Sequence, residues 1–259
     1  MRALIPAAGT DDNDVDVHAH YATDWLDSGG VRANFVSSVD GSATAGGLSR
    51  GLQTPGDNTV FAVLRDLADV VLVGAATAGA EGYRPAAPSA ERRAIREHYG
   101  LRPRPAIAVI SSSLSLDLNT ELFKAADREA PTMIITGSAA SVTARNDVID
   151  LAGSGAALQL LEAPAVPGGR VHVSAAVAHL RELGYRRILC EGGPRLFASA
   201  VASRAVDELC LSLSPVLVGP GGSRVVDGPE WPDGVRPQLT LVGLLAEDDA
   251  LFCRYRLQK

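Results

Sequence analysis

The chain has 259 residues, 46% of them hydrophobic, so it is long enough to bury a sizeable core as one large domain or two small ones. Its formal net charge of −6 at pH 7 provides no basic surface for nucleic acid or for an anionic membrane. No apolar run is long enough to span a membrane, and the apolar run at the N-terminus is too short for the core of a signal peptide. We therefore expect a cytoplasmic protein.

Residues 1–30 are acidic and irregular in pattern. We expect them to form an N-terminal arm that lies across the body and is partly disordered at its start, around Asp11-Asp12-Asn13-Asp14. His18 and His20 would face the same side of an extended arm, but no third ligand accompanies them, so no metal site is expected. Residues 31–259 are expected to form a single domain.

The pattern of residues 31–42 predicts a central strand that ends in an Asp-Gly turn. Asn34 and Ser38 fall on one face of this strand, where a buried strand usually carries Val or Leu, which indicates that they line a site. The glycine-rich residues 42–55 are typical of a mobile loop over a ligand and equally of a plain surface loop. A helix is predicted next, up to residue 68, beginning at Gly56 or Asp57.

Short apolar runs and helical patterns alternate through the middle of the chain. Strands are predicted at 70–73, 107–110, 132–136, 157–161 and 187–190, and helices at 91–99, 141–151 and 174–183. This alternation predicts a largely parallel sheet covered on both faces. Further strands are predicted at 207–217, 239–244 and 250–257, with a hairpin turn at 247–249, so the C-terminal strands of this mixed α/β sheet should be antiparallel. The three cysteines lie in apolar runs, which predicts buried thiols: Cys190, Cys210 and Cys253.

The stretch Arg186–Leu196 predicts a strand that runs directly into a helix. Gly192 and Gly193 form the turn between them, and Pro194 suits the first helical position. The backbone N–H groups of Gly193, Arg195 and Leu196 would then be unpaired at the positive end of the helix dipole, which is a favourable site for phosphate. An ordinary glycine-capped connection explains the same pattern equally well.

In the predicted sheet, three strands end in small or polar residues: Gly74–Thr77, Ser111-Ser112 and Glu191–Leu196. Ligands of open α/β sheets bind beyond the carboxyl ends of the strands, so the three ends predict one extended nucleotide. The Gly-x-Gly-x-x-Gly pattern of the Rossmann fold is absent from the sequence.

Three motifs resemble, in the same order, the signature blocks of the pyrimidine reductases of riboflavin biosynthesis: Asn34-x-x-x-Ser38-x-Asp40-Gly41, Gly74-x-x-Thr77 and Glu191-Gly192-Gly193-Pro194. The resemblance covers roughly residues 31–257. It implies a dihydrofolate reductase-like three-layer fold in a single reductase domain. It also implies NADPH-dependent reduction of a ribosylamino-pyrimidine 5′-phosphate, of the 5-amino-6-(5-phosphoribosylamino)uracil reductase type. The apolar C-terminal strands favour a homodimer.

The resemblance further implies roles for individual residues. The cofactor would be contacted by Val36, Gly74, Thr77, Glu81, Ser111, Ser112, Gly192, Gly193, Pro194, Arg195 and Leu196. The phosphorylated pyrimidine would be contacted by Asn34, Ser38, Ser49, Arg65, Arg84 and Glu191. Two features depart from the bifunctional bacterial members: asparagine replaces lysine at position 34, and the zinc deaminase motifs are absent from the sequence.

Several of these residues have a second interpretation from the sequence alone. Arg65 and Arg84 are either clamps for the substrate phosphate or surface arginines. Asp57, a candidate catalytic residue, either bonds a pyrimidine or pterin ring or caps its helix. Glu191, the other candidate, is either functional or structural, and a carboxylate beside two glycines at a strand end is costly unless it has a partner. The alternative functions are a dihydrofolate reductase-like enzyme and a non-catalytic NADP-binding protein, because one fold hosts many functions.

Overall fold

The computed structural model describes residues 1–5, 15–231 and 236–258, so the acidic run 11–14, where disorder was predicted, lies outside the described residues. The chain forms two units, Met1–Leu67 with Leu189–Lys259, and Ala68–Ile188. The division into an arm and a single domain stays a prediction.

The elements follow the predicted order. Before residue 68 they are β1 (Arg2–Ile5), α1 (Val17–Ala22), α2 (Trp25–Ser28), β2 (Gly30–Ser38), a 3-10 helix (Ser49–Leu52) and α3 (Pro55–Leu67). Then come β3 (Val70–Gly74), α4 (Ala75–Ala80), α5 (Ala90–His98), β4 (Ala106–Ile110), α6 (Glu121–Lys124), β5 (Thr132–Thr136), α7 (Val142–Gly153), β6 (Leu158–Glu162), α8 (Val173–Glu182) and β7 (Arg187–Cys190). The last are α9 (Pro194–Ala202), β8 (Glu208–Ser214), β9 (Leu239–Glu247) and β10 (Ala250–Leu257).

In the first unit, five strands lie in the order β1-β9-β10-β8-β2. The pairs β1/β9, β9/β10 and β10/β8 are antiparallel, whereas β2 and β8 are parallel. The register pairs Asn34 with Cys210 and Val36 with Ser212. The predicted hairpin between β9 and β10 is confirmed: Asp248 and Asp249 both have positive φ, 46° and 63°, as a type I′ turn requires.

In the second unit, four strands lie in the order β3-β4-β5-β6, and every pair is parallel. Their central residues are buried apolar side chains, such as Leu72, Ala108 and Ile134, because strands of this kind are covered on both faces. Asp69, just before β3, accepts hydrogen bonds from the backbone N–H groups of Arg186 and Arg187 at 2.9 and 2.8 Å, which fixes the start of β7.

The predicted fold class is confirmed as a mixed α/β structure, mostly parallel, with antiparallel C-terminal strands. The prediction of buried, unpaired thiols for the three cysteines is also confirmed. One local expectation was wrong. The described part of the arm is not irregular, since it contains β1, α1 and α2. In the charged helix α5, Arg96 is fully buried and donates to the carbonyl oxygen of Ala68 at 2.9 Å.

The arm is held by a buried ion cluster. Glu208 accepts hydrogen bonds from Arg254 and forms an ion pair with Arg32 at 3.1 Å. The two guanidinium groups also donate to backbone carbonyl oxygens at the end of α1 and just after it, those of His20, Tyr21 and Thr23. These contacts, rather than local helix propensity, stabilise a helix as short as α1.

Candidate active site

The turn between β7 and α9 has the predicted form. Pro194 occupies the start of α9, and Gly193 precedes it as the N-cap with φ −71°. Gly192 has φ +81°, and an added Cβ there would lie 2.7 Å from Cζ of Phe35. The peptide bond between the two glycines is cis. Glycine at position 192 is therefore required both by the backbone conformation and by the close approach of the phenyl ring.

The N-terminus of α9 presents unpaired donors. In the part of the chain that the structure describes, the N–H groups of Gly193, Arg195 and Leu196 donate no hydrogen bond. The side chain of Arg195 is 84% exposed, with Asp227 at 3.7 Å, whereas Leu196 is buried. Three unpaired N–H groups at the positive end of a nine-residue helix are suited to a phosphate group.

Arg65 and Glu191 form a bidentate ion pair. Arg65 Nε and an Nη donate to the two carboxylate oxygens of Glu191 at 2.7 and 2.6 Å. The carboxylate is almost wholly buried, and the guanidinium group, which is 22% exposed, also lies 4.3 Å from the centre of the Phe61 ring. The structure thus brings together two residues that the sequence assigned to the site separately, and it supplies the partner that a buried Glu191 needs.

Asp57 lies in the first turn of α3, which begins at Pro55, one or two residues earlier than predicted. It does not cap the helix, since the Thr54 hydroxyl accepts the Asp57 N–H at 3.1 Å. Asp57 as a whole residue is 4% exposed. Burial raises the pKa of Asp57 above its ordinary value, and the neighbouring hydroxyl of Ser212 offsets only part of this rise.

Two further polar atoms in this region lack partners. Within the described residues, Oγ of Ser212 and Oδ1 of Asn34 are buried without a partner in hydrogen-bond geometry, so the contact from Ser212 to Asp57 is a loose one. Sequence reasoning missed Ser212. The available signal was its place between Leu211 and Leu213 in β8, where the register puts it on the same face of the sheet as Val36 and Asn34 of β2.

The end of β2 is fixed by Asp40. The Ser38 hydroxyl donates to the Asp40 carboxylate and accepts the Ser42 N–H at 2.9 Å. Asp40 also accepts the N–H groups of Val218 and Gly219 at 3.2 and 2.7 Å. These hydrogen bonds, that from Ser38 first, hold the pKa of Asp40 below its ordinary value. Ser38 thus contributes to the turn, while Val36 is buried in β2 and Ser49 begins the 3-10 helix.

The remaining predicted residues lie in the second unit. Gly74 is the N-cap of α4, Thr77 lies within that helix, and Glu81 ends it. Ser111 is buried after β4, and the Ser112 hydroxyl accepts the N–H of Val171 at 3.1 Å, which leaves its hydrogen available as a donor. Arg84 is exposed in the loop after α4.

The described residues, 1–5, 15–231 and 236–258, offer neither a metal-binding cluster nor a membrane-spanning helix. No group of three or more His, Cys, Asp or Glu residues there is arranged to hold a metal ion. No helix in those ranges is both long and apolar enough to cross a membrane.

This chain is similar to proteins that are named as pyrimidine reductases. A 2,5-diamino-6-ribosylamino-4(3H)-pyrimidinone 5′-phosphate reductase of Archaeoglobus fulgidus is 28% identical over 163 residues, which are 63% of this chain and 69% of the relative. The structure of a pyrimidine reductase-like protein from Corynebacterium diphtheriae is similar at a TM-score of 0.81 and 25% identity, covering 95% of this chain and 100% of that one.

More distant structures share the fold. The riboflavin biosynthesis reductase Rib7 of Saccharomyces cerevisiae has a TM-score of 0.62 at 16% identity, over 89% of this chain and 90% of that one. Dihydrofolate reductase of Enterococcus faecalis has a TM-score of 0.50 at 13% identity, over 90% and 98%. The dihydrofolate reductase-like fold and the resemblance to pyrimidine reductases are confirmed. The family described as the RibD C-terminal domain matches residues 30–251, and the chain belongs to it.

Proposed function

We propose that this protein is a pyrimidine phosphate reductase of riboflavin biosynthesis, which uses NADPH to reduce a ribosylamino-pyrimidine 5′-phosphate to its ribitylamino form. Membership of the RibD C-terminal domain family and the name of the Archaeoglobus relative support this assignment. The observation that carries it is the combination of the unpaired N-terminus of α9 with Glu191, just before that helix, held in a bidentate pair by Arg65 of α3.

The residues present fit a phosphorylated cofactor. The N–H groups of Gly193, Arg195 and Leu196 would hold its pyrophosphate, and Gly192 leaves the backbone accessible. When bound, the cofactor supplies a hydride. Further contacts are proposed for Val36, Gly74, Thr77, Glu81, Ser111, Ser112 and Pro194. NADPH is preferred over NADH in this proposal, because hydroxyl groups and no carboxylate occupy positions 111 and 112.

The substrate phosphate is assigned to Arg65 and Arg84. Glu191 holds the Arg65 guanidinium in one orientation through two hydrogen bonds, and it neutralises a charge that would otherwise be costly to bury. Ser38 and Ser49 are proposed as further polar contacts from the strand end and the 3-10 helix. The acceptor carbon is C1′ of the ring-opened ribosyl imine, which the residues of the first unit would hold in position.

The test is oxidation of NADPH by the purified protein with a ribosylamino-pyrimidine 5′-phosphate, in parallel with dihydrofolate. We expect turnover with the pyrimidine phosphate and little with dihydrofolate. The Arg65→Ala variant should raise KM for the pyrimidine steeply, since it removes a phosphate contact and takes the bidentate Arg65 partner away from Glu191. An unchanged KM in that variant would contradict the assignment of Arg65, and no oxidation with the pyrimidine would contradict the function.

Dihydrofolate reduction is the second candidate, and the buried carboxyl of Asp57 is the observation that favours it. A pterin ring would rely on that carboxyl for hydrogen bonding and protonation, so Asp57→Asn should then slow dihydrofolate turnover by roughly 10²–10⁴-fold. Arg65→Ala should leave dihydrofolate turnover nearly unchanged. If this pattern appears and Arg65→Ala leaves the pyrimidine kinetics untouched, dihydrofolate reduction is the better assignment.

A cytoplasmic homodimer is also part of the proposal. Leu4 and Ile5 of the edge strand β1 and Leu239 of the neighbouring β9 are exposed by 38%, 38% and 44%, which leaves an apolar edge for a second copy. The molar mass by light scattering should be twice that of the chain. A monomer at micromolar concentration would contradict the homodimer.

A further inference from the structure

A cavity of about 330 Å³ lies in the second unit, beside the ends at which β5 and β6 begin. Its volume is at the lower end of the range for small-molecule sites, about 300–1,000 Å³. The proposed cofactor contacts of this unit, such as Gly74 and Ser111, lie where β3 and β4 end. Because the strands are parallel, the cavity is at the opposite ends of the strands from those contacts. The residues that line it include Arg102, Arg128, Pro131, Leu158, Leu183 and Tyr185.

Two arginines of the cavity have no acidic partner. Among the described residues, the guanidinium groups of Arg102 and Arg128 form no ion pair and donate no hydrogen bond. The acidic residues on either side of Arg128 pair with a different cation. Asp127 and Glu129 both bind Arg104, at 2.6 and 3.0 Å. No lining residue is acidic, so two uncompensated positive charges face one cavity in a chain whose formal net charge is −6, which favours an anion there.

Tyr185 adds a buried hydroxyl donor to the two cations. The residue is 8% exposed, and in the described part of the chain its hydroxyl takes part in no hydrogen bond. A tyrosine hydroxyl at this depth is expected to find a partner, which a bound anion would supply. The guanidinium carbon of Arg102 lies 5.7 Å from the centre of the Tyr185 ring, a cation–π distance. Stacking on a ring orients a guanidinium group while its N–H donors stay available for an anion.

The rest of the lining is mostly apolar. It includes Pro131, Leu158 and Leu183, and Leu183 at the end of α8 is 42% exposed. The carbon part of an organic ligand would cover this surface, whereas an inorganic anion would leave it in water. A phosphate monoester carries up to two negative charges and three acceptor oxygens, which match two guanidinium groups and one hydroxyl. A carboxylate carries one charge and two oxygens and matches them less well.

We propose that this cavity is a second ligand site, which binds the phosphate monoester of a small organic molecule. Arg102, Arg128 and the Tyr185 hydroxyl hold the phosphate, and the apolar lining contacts the carbon part. The ligand joins the loop before β4, the start of β6 and the end of α8, so its binding stabilises the second unit. The site goes beyond the proposed reductase function and does not depend on it.

The test is calorimetric titration of the protein with phenyl phosphate, in excess NADP⁺ to occupy the proposed cofactor site. The dissociation constant should be on the order of 0.1–1 mM, as expected for a ligand of this size. Inorganic phosphate should bind at least about threefold more weakly, and phenol should not bind detectably. Arg102→Gln and Arg128→Gln should each weaken phenyl phosphate binding by about tenfold or more, and Tyr185→Phe by about threefold.

Arg170→Gln is the matched control. It removes the same charge from an exposed arginine between β6 and α8, at the other ends of the strands, and should leave the affinity within about twofold of the parent. The exposed Arg102 and Arg128 variants should melt like the parent without ligand, and phenyl phosphate should raise the melting temperature of the parent but not of these variants.

The proposal is overturned if phenyl phosphate does not bind the parent, or if Arg102→Gln and Arg128→Gln bind it as tightly as the parent does. An equal loss in Arg170→Gln would also overturn it, because binding would then follow overall charge and not the cavity. Equal affinities for phenyl phosphate and inorganic phosphate would overturn the choice of an organic ester. These results do not depend on reductase turnover, so a failure of the proposed function would be seen separately.

Discussion

Replacing Gly192 with alanine tests the turn on which the proposed cofactor site depends. The residue has φ +81°, and a methyl group there would lie 2.7 Å from Cζ and 3.0 Å from Cε1 of Phe35. Phe35 cannot move away easily, because its ring packs against that of Phe197 at a centroid distance of 4.8 Å. Alanine therefore combines an unfavourable backbone conformation with a steric clash.

The expected loss follows from these two terms. A left-handed conformation costs about 1–2 kcal/mol for a residue with a Cβ, and overpacking costs about 1–3 kcal/mol, so the free energy of unfolding should fall by about 2–5 kcal/mol. At roughly 2–4 °C per kcal/mol, the melting temperature should fall by about 4–20 °C.

The measurement is thermal and urea unfolding followed by circular dichroism. Gly193→Ala is the matched control, because Gly193 has φ −71°, which any residue adopts. Its unfolding free energy should stay within about 0.5 kcal/mol of the parent. If the free energy of unfolding of the Gly192→Ala variant falls by less than about 1 kcal/mol, the turn can relax to accept a side chain and the steric argument is wrong.

Three further predictions concern the cofactor and the arm. Gly193→Val should weaken NADPH binding at least about tenfold with the fold retained, because the branched side chain of valine blocks the approach of the backbone to the pyrophosphate. A dissociation constant within about twofold of the parent value would show that the turn has only a structural role. Calorimetry should show that NADPH binds tighter than NADH by a factor on the order of tens. Equal affinities would mean that the adenosine end of the cofactor does not lie at Ser111 and Ser112. Burial and the charges of Arg254 and Arg32, opposed by Glu208, lower the pKa of His20 from 6.5 to about 4. As the pH falls, the imidazole is therefore protonated in the unfolded chain before it is protonated in the folded chain, so the free energy of unfolding should fall between pH 6.5 and pH 4. His20→Gln should flatten that part of the pH profile, and an unchanged profile would show that His20 does not cause it.

Much of the fold was predictable from local pattern. The strands at 132–136 and 250–257 have the predicted bounds, because buried apolar runs with clear flanking turns mark them in the sequence. The short elements of the arm were missed because long-range contacts stabilise them. Arg32 and Arg254 hold the carbonyl oxygens of α1 from β2 and β10, and no pattern within the arm encodes those contacts.

The candidate site was predictable residue by residue but not as an arrangement. The sequence identified Arg65 and Glu191 separately, yet their pairing across 126 positions depends on how α3 and the end of β7 are placed. Ser212 was missed because a serine between two leucines of a strand has no distinctive signal until its register with β2 is known. The buried state of Asp57, which raises its pKa, likewise depends on tertiary packing.

The most direct test of the proposed function follows the transferred hydride. The protein should be supplied with NADPH that carries deuterium on the transferred position of the nicotinamide ring, together with a ribosylamino-pyrimidine 5′-phosphate, and the product analysed by mass spectrometry and NMR. We predict a ribitylamino product with a single deuterium at C1′ of the ribityl chain. Recovery of unreduced pyrimidine, or of a reduced product without deuterium at C1′, would contradict the assignment.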